Sequence, residues 1–265
     1  MDRTIVTTSH KPDQLSLELA GHAASLIGAA LVDRERLPIS RLREKFGAEN
    51  ILVVSREQVK LHTPLGEYFF HPSMSFPRVK AIKQGKPDHM VEAMALTEGG
   101  TVLDCTLGLG ADAIVASYIV GPSGRVVGVE SAPELAYLVG TGLGIYGQGS
   151  KAVREAMARI EVVCADSEDY LSQQADCSFD VVYFDPMFRV PRERSSSMGP
   201  LRGIVNVKPL TALMIKEAIR VARKRVVMKE NSFSQEFVRL GINNIYGGRY
   251  SPIAFGVIDK QEAGR

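Results

Sequence analysis

Short apolar runs separated by amphipathic stretches dominate the chain from Thr101 onward. Runs such as Val126-Val127-Gly128-Val129 and Val181-Val182-Tyr183-Phe184 are too short for a helix and rich in β-branched or aromatic residues. They predict strands over 101–105, 125–130, 160–164, 179–184 and 225–229. The intervening sequence predicts helices over 111–119, from near Pro133, over 151–159, over 210–222 and over 233–240, with a last strand closing 249–258. Gly140 to Gly149 is glycine-rich and reads as a loop. Apolar strands alternating with helices predict a mostly parallel sheet, wound with helices on both faces.

The first third has a different pattern. Thr4 to Thr8 reads as a short strand, and Leu15, Leu19, Ala23, Leu26 and Ile27 recur at helical spacing within Asp13 to Ala30. Leu37 to Phe46 predicts a short helix ended near Gly47. Ile51 to Val54 and Val59 to Thr63 predict strands, the second turning through Pro64-Leu65-Gly66-Glu67 into Tyr68-Phe69-Phe70. His71 to Pro87 contains Pro72, Pro77, Gly85 and Pro87, and reads as a linker or substrate-facing segment. Asp88 is placed to cap a helix from His89 to Leu96. The expected division is a small N-terminal α+β cap over 1–87 and a Rossmann-like, doubly wound α/β domain over 88–265.

Composition narrows the class without naming an activity. An apolar share of 45% with 23% charged residues fits a soluble globular protein. The formal charge of +2 neither requires nor excludes nucleic acid, because binding depends on where the charges sit. Cys105, Cys164 and Cys177 are scattered without CxxC spacing, so no metal site is expected and a reducing, cytoplasmic setting is. No signal pattern opens the chain, and no apolar run approaches the roughly 20 residues that span a bilayer, so no membrane partner is expected.

Candidate chemistry gathers at strand ends, where doubly wound sheets bind ligands. Asp104 ends the first strand, and Gly108 and Gly110 form the turn after it, letting a ligand approach the main chain. Ala111 and Asp112 open the next helix, where an acid is electrostatically favoured. Glu130 ends the second strand, with Ser131 after it; a carboxylate there can accept from both ribose hydroxyls. Asp166 and Ser167 end the third, a position suited to an adenine amino group. The loop lacks the third glycine of a dinucleotide fingerprint, and Asp112 would repel a pyrophosphate. S-adenosylmethionine (SAM), with a sulfonium and an amino group, suits these acids better. No GxxxxGK[ST] sequence supports an ATP-binding loop.

The fourth acid-tipped strand continues as Asp185-Pro186-Met187-Phe188. This resembles the [DNS]-P-P-[YF] signature of amino-directed nucleic-acid methyltransferases. An exocyclic base nitrogen is a poor nucleophile because its lone pair is delocalised. Asp185 and a main-chain carbonyl near Pro186 can accept from its two hydrogens, and Phe188 can stack on the base, a contact of roughly 1–3 kcal/mol. Arg189, Arg192, Arg194 and Arg202 follow in a stretch expected to hold phosphates, with Arg78, Lys80, Lys83 and Lys86 as an opposite wall. Lys229 is a further candidate to face the cleft.

At these residues the chain resembles class I SAM-dependent methyltransferases and, more narrowly, the RsmJ-like family of 16S ribosomal RNA guanine-N2 methyltransferases. The stretches are Leu103 to Ala113, Val129-Glu130-Ser131, Ala165-Asp166-Ser167, Val181 to Phe188 and Lys224 to Lys229. The resemblance implies a seven-stranded methyltransferase sheet, with SAM contacts at Ala111, Asp112, Glu130, Ser131, Asp166, Ser167 and Asp185. Leu107, Ala111 and Arg189-Val190-Pro191 depart from the family pattern, which usually has alanine, arginine and, in enterobacterial members, Pro-His-Lys at these places. The expectation is a methyltransferase acting on a guanine amino group of RNA, with 16S ribosomal RNA or the small subunit as partner. Methylation of a small amine or protein side chain, and a non-catalytic SAM-binding module, are the alternatives.

Overall fold

A computed structural model of the protein describes residues 4–72, 74–186, 208–247 and 251–260. The N-terminal elements are β1 (Thr4–Thr8), α1 (Gln14–Ile27), β2 (Ala30–Leu31), α2 (Ile39–Phe46), β3 (Asn50–Val54), β4 (Val59–Thr63) and β5 (Gly66–Phe69). Next come α3 (Ser75–Lys83), α4 (His89–Met94), β6 (Thr101–Asp104), α5 (Ala111–Val120), β7 (Arg125–Glu130), α6 (Pro133–Ile145), α7 (Lys151–Ala158) and β8 (Ile160–Cys164). The rest are α8 (Ser167–Gln173), β9 (Phe179–Phe184), α9 (Ala212–Val221), β10 (Ala222–Asn231), α10 (Glu236–Arg239), β11 (Asn244–Tyr246) and β12 (Ile253–Asp259). The chain forms two units, one holding the residues up to His71 with Ala132–Gly147, the other holding Pro72–Ser131, 148–186 and 208–260.

The first unit is built on a five-stranded sheet in the order β2-β1-β3-β4-β5, with β2, β1 and β3 parallel and β4 and β5 antiparallel. Alternation along β1 and β3 puts Ile5 and Ile51 on one face, against Leu42 of α2 and Ala48. Asp13 starts α1 by accepting from the Ser16 amide at 2.8 Å. The expected loop at 140–149 is a correction: α6 runs through to Ile145. Its glycines serve packing, since a Cβ on Gly142 would collide with the side chain of Phe70.

Two helical glycines of α6 therefore respond oppositely to alanine. Gly144→Ala meets no atom within 4 Å and gains about 0.5–1 kcal/mol of stability from helix propensity. Gly142→Ala gains the same propensity but must displace Phe70, and the overpacking cost of about 1–3 kcal/mol prevails. Urea unfolding of the two variants checks this; shifts of the same sign would refute the packing argument.

The second unit is the doubly wound domain, with strand order β11-β12-β10-β9-β6-β7-β8. The run from β8 to β10 is parallel, while β12 is antiparallel to both β10 and β11. Leu103, Val127, Val182 and Val226 pack on one face with Leu171 of α8, Ile215 and Ala218 of α9 and Phe237 of α10. The residues that alternate with them face α5 and α4. The segment 71–87, expected as a linker, contains helix α3. Pro77 is its third residue, where an amide N–H has no partner within the helix in any case.

Candidate active site

Strand alternation decides which side chains meet at the carboxyl edge of the large sheet. Val227 pairs with Tyr183 and Met228 with Phe184 across β10 and β9. Tyr183, Asp185 and Lys229 therefore fall on the face that carries α5, and Lys229 arrives beside Asp185. Asp104 pairs with Tyr183 across β6 and β9, and alternates with Leu103, which belongs to the opposite face. An apolar sheet thus ends in a polar cluster on one side.

The cluster centres on a lysine between two acids. Lys229 Nζ donates to Asp185 Oδ2 at 2.6 Å and to Asp112 Oδ2 at 2.9 Å. Asp112 also accepts from the Tyr183 hydroxyl at 2.8 Å and from Arg78 Nη1. Arg78 reaches from α3 and forms a two-pronged pair with Asp88, the cap of α4, at 2.8 and 2.9 Å. Burial works against a charge on Asp112, but the Lys229 and Arg78 cations outweigh it and hold the carboxyl well below its ordinary value. Lys229 is likewise opposed by burial and held above its ordinary value by Asp112 and Asp185. Asp185, half-buried, is pushed upward by burial, with Lys229 opposing.

Asp104 is different in kind. It is 2% exposed and, among the described residues, accepts only from the Thr106 amide and hydroxyl, at 3.0 and 3.4 Å. Burial, aided by Asp112 and Asp185, pushes its carboxyl up to about 8, so it is mostly protonated at neutral pH. The Thr106 hydroxyl also receives the Asp185 amide at 2.5 Å, joining the tips of β6 and β9.

The glycine turn lies between these tips and the next strand. Gly108 and Gly110 take φ of 50° and 73°, left-handed values that a side chain resists. The Gly108 amide donates to Glu130 Oε2 at 3.1 Å, so the turn is fastened to the end of β7. Ala111 and Asp112 open α5, and the Ala111 carbonyl accepts from the Ser75 hydroxyl at 3.1 Å. Ser131 follows Glu130. Asp166 accepts from the Glu168 amide at 2.9 Å and caps α8. The Ser167 hydroxyl donates to the Cys105 carbonyl.

Asp104, Gly108, Gly110, Ala111, Asp112, Glu130, Ser131, Asp166, Ser167, Asp185 and Pro186 thus all lie at the carboxyl ends of β6, β7, β8 and β9 or in the turns that follow. Phe188 and the arginines at 189, 192, 194 and 202 lie outside the described residues. One assignment needs correcting. Arg78, expected on an open basic wall, is largely buried and spent on Asp88 and Asp112. Tyr183 escaped the sequence reading, and Arg78 was read as part of an opposite basic wall and not as a partner of these acids. The signal for Tyr183 was its place two residues before Asp185; Arg78 left none.

The seven-stranded order and the acids at its strand tips define a class I SAM-dependent methyltransferase. The chain belongs to the family described as "Putative SAM-dependent methyltransferase", whose sequence profile matches residues 42–239. It is 40% identical over 240 residues to "Uncharacterized protein YpiP" of Bacillus subtilis, covering 90% of this chain and 93% of that one. It is 36% identical to the ribosomal RNA small subunit methyltransferase J of Laribacter hongkongensis over 131 residues, 48% of this chain and 45% of the relative. With the enzyme of the same name from Vibrio parahaemolyticus it shares 32% over 162 residues, 57% of this chain and 61% of the relative. The alignments with these methyltransferases thus span about half of each. The crystal structure of a SAM-dependent methyltransferase from Neisseria gonorrhoeae covers 96% of this chain at a TM-score of 0.63 and 18% identity, which shows a shared fold. SAM is the methyl donor. The protein is an enzyme of this methyltransferase family. Among the described residues, no helix is long and apolar enough to cross a membrane.

Proposed function

We propose that the enzyme transfers a methyl group to the exocyclic amino group of a guanine in RNA, with 16S ribosomal RNA as the substrate. The observation that carries this reading is Asp185, a carboxylate fixed at the tip of β9 by Lys229 and by its own amide bond to Thr106, with Pro186 next. An acceptor amine offers two hydrogens. Asp185 takes one and the carbonyl beside Pro186 the other, which orients the lone pair. Proline at this point offers no competing N–H. The likeness to ribosomal RNA small subunit methyltransferases J supports the substrate class.

SAM, when bound, supplies the electrophilic methyl. In this reading Asp104 and the Gly108–Gly110 turn hold its amino acid part, and Ala111 and Asp112 present main-chain amides at the start of α5. Glu130, with Ser131, takes the ribose, and Asp166 and Ser167 take the adenine. Phe188 stacks on the target base. The protein contributes positioning and fixed charge, the terms that dominate transfers needing no covalent enzyme intermediate.

The deciding experiment incubates the protein with tritium-labelled SAM and either total RNA, stripped small subunits or a protein extract. Label in N2-methylguanosine of 16S RNA is the expected result. Label confined to protein or small amines would replace this reading with the side-chain alternative.

Asp104 provides a prediction free of the substrate question. A cationic amino group beside it requires the ionised carboxylate, yet ligand-free Asp104 titrates at about 8. Binding at pH 7 therefore releases ~0.9 proton, and affinity rises with pH by nearly tenfold per unit below 8. The same raised value makes the ligand-free fold lose stability as pH climbs from the unfolded carboxyl range toward 8. Calorimetric titration of SAM in buffers of different ionisation enthalpy measures the proton count. A count of zero would separate Asp104 from the amino group.

A further inference from the structure

The first unit carries a cavity of its own, of 320 Å³, lined by residues that follow β1 and β2, among them Ser9, His10, Arg34 and Arg36. Its position in the small sheet is informative. β1 connects through α1 to β2 on one side, and β2 connects through α2 to β3 on the other, giving the order β2-β1-β3 with all three parallel. The cavity lies outside the carboxyl ends of β1 and β2, the edge at which parallel sheets receive ligands, and sits beside the β1–β3 reversal rather than at it.

Two arginines and two acids line the cavity, and with Lys45 counted against Glu35 the balance is one positive charge. Glu35 is taken by Lys45, at 2.6 Å. Asp33 accepts from the Glu35 amide at 2.9 Å. Neither Arg34 nor Arg36 has an acidic partner among the described residues. Arg34 is half-buried, and its Nε and Nη1 are shut from water with no acceptor among those residues, although each such donor costs about 1–3 kcal/mol when left unmet. The backbone holds these side chains at some cost as well, since Glu35 and Arg36 stand consecutively at left-handed φ of 46° and 60°. A strained turn that sets two arginines without acidic partners at one cavity, Arg36 exposed and Arg34 adding its charge from within the wall, suits an anion not supplied by the chain.

We propose that this cavity binds a phosphate ester, with Arg34 and Arg36 as counter-charges and the Ser9 hydroxyl and His10 ring as further donors. Guanidinium forks match phosphate oxygens, and the volume exceeds that of a bare phosphate, leaving room for an attached sugar. The ester has two sources, a free nucleotide or the backbone of RNA. Only the second rests on the function proposed above.

The test uses the full chain, the variants Arg34→Gln and Arg36→Gln, and their double. Thermal unfolding is followed in sodium phosphate against sodium chloride at equal ionic strength, then with a nucleoside monophosphate, then with a short RNA. Phosphate is expected to raise the wild-type Tm above that in chloride, with the gain lost in the double variant while SAM binding, measured separately, is unchanged. Arg36→Gln, at an exposed position, keeps the test open should Arg34→Gln fold poorly; it weakens phosphate binding at least threefold. Monophosphate binding at least tenfold tighter than phosphate, with RNA binding equal in wild type and variants, identifies a nucleotide site. RNA binding weakened about tenfold, with a salt slope smaller by about one charge per arginine removed, identifies a backbone site. No preference for phosphate over chloride, together with variants that bind nucleotide and RNA as wild type does, overturns the proposal. Wild type that binds phosphate through these arginines yet methylates no RNA would leave the cavity standing and remove the RNA reading.

Discussion

Asp185→Asn is expected to slow methyl transfer by about 10²–10³-fold in single turnover while leaving the affinity for SAM within tenfold of wild type. Asparagine keeps the shape of the side chain and an oxygen for Lys229, but it replaces a charged acceptor with a neutral amide. The amine then faces a weaker acceptor, or an N–H that competes with its own. A charge-assisted hydrogen bond is roughly twice as strong as a neutral one, and that difference counts most where charge develops at the reacting nitrogen. The loss should appear in the rate at saturating substrate, since the interaction matters chiefly as the lone pair is drawn out of conjugation. Quenched-flow transfer with labelled SAM measures the rate, and calorimetry measures the affinity. Full-rate transfer by Asp185→Asn would rule out the amine clamp. A large loss of SAM affinity with an unchanged maximal rate would move Asp185 from the acceptor side to the cofactor side.

β7 and β9 were readable because each is built on an apolar run, Val126 to Val129 and Val181 to Phe184. Strands 125–130, 160–164 and 179–184 end where the sequence places them. β9, buried along its whole length, has few polar positions to blur its limits, whereas the edge strand β8 carries Glu161. The same reading placed acids at four tips, because a carboxylate after such a run has nowhere else to lie than the sheet edge. It did not show what the acids do to one another. Asp112 and Asp185 are far apart in sequence, and only the register of β9 on β10 brings Lys229 between them. Register is a tertiary property, set by pairing rather than by local pattern.

Helix α3 was hidden for another reason. Pro77 is a helix breaker except in the first turn, and nothing local to 71–87 says where the first turn lies. Missing the helix meant missing the pairing of Arg78, which from α3 reaches the first turns of two others. Gly140, Gly142 and Gly144 misled in the opposite sense. Glycine reads as a breaker, but at position 142 of α6 it makes room for Phe70, and the gain from contact exceeds the loss in propensity.

Lys229→Met should be strongly destabilising to the second unit. The lysine is the shared counter-charge of Asp112 and Asp185 at 2.9 and 2.6 Å, in a site where all three side chains are less than a third exposed. Methionine matches its length but leaves two carboxylates facing each other, with Arg78 bound to only one. Removing one partner of a buried ion pair costs about 3–5 kcal/mol; part of that is recovered here by water reaching Asp185, so ~3 kcal/mol is expected. The sign with pH follows from the carboxylates. Without the lysine, Asp185 has a folded value raised further above its unfolded one, so the folded state holds a proton that the unfolded state has lost. Stability of the variant then falls as pH rises from the unfolded carboxyl range, and the deficit against wild type is largest above neutrality and smallest near pH 5. Adding Asp185→Asn to Lys229→Met should recover stability, because the second change removes the stranded charge. Urea unfolding of wild type, both singles and the double at pH 5 and pH 8 provides the cycle. Equal deficits at the two pH values, or a double variant weaker than Lys229→Met alone, would show that the lysine acts through packing and not as the charge that holds the two acids together.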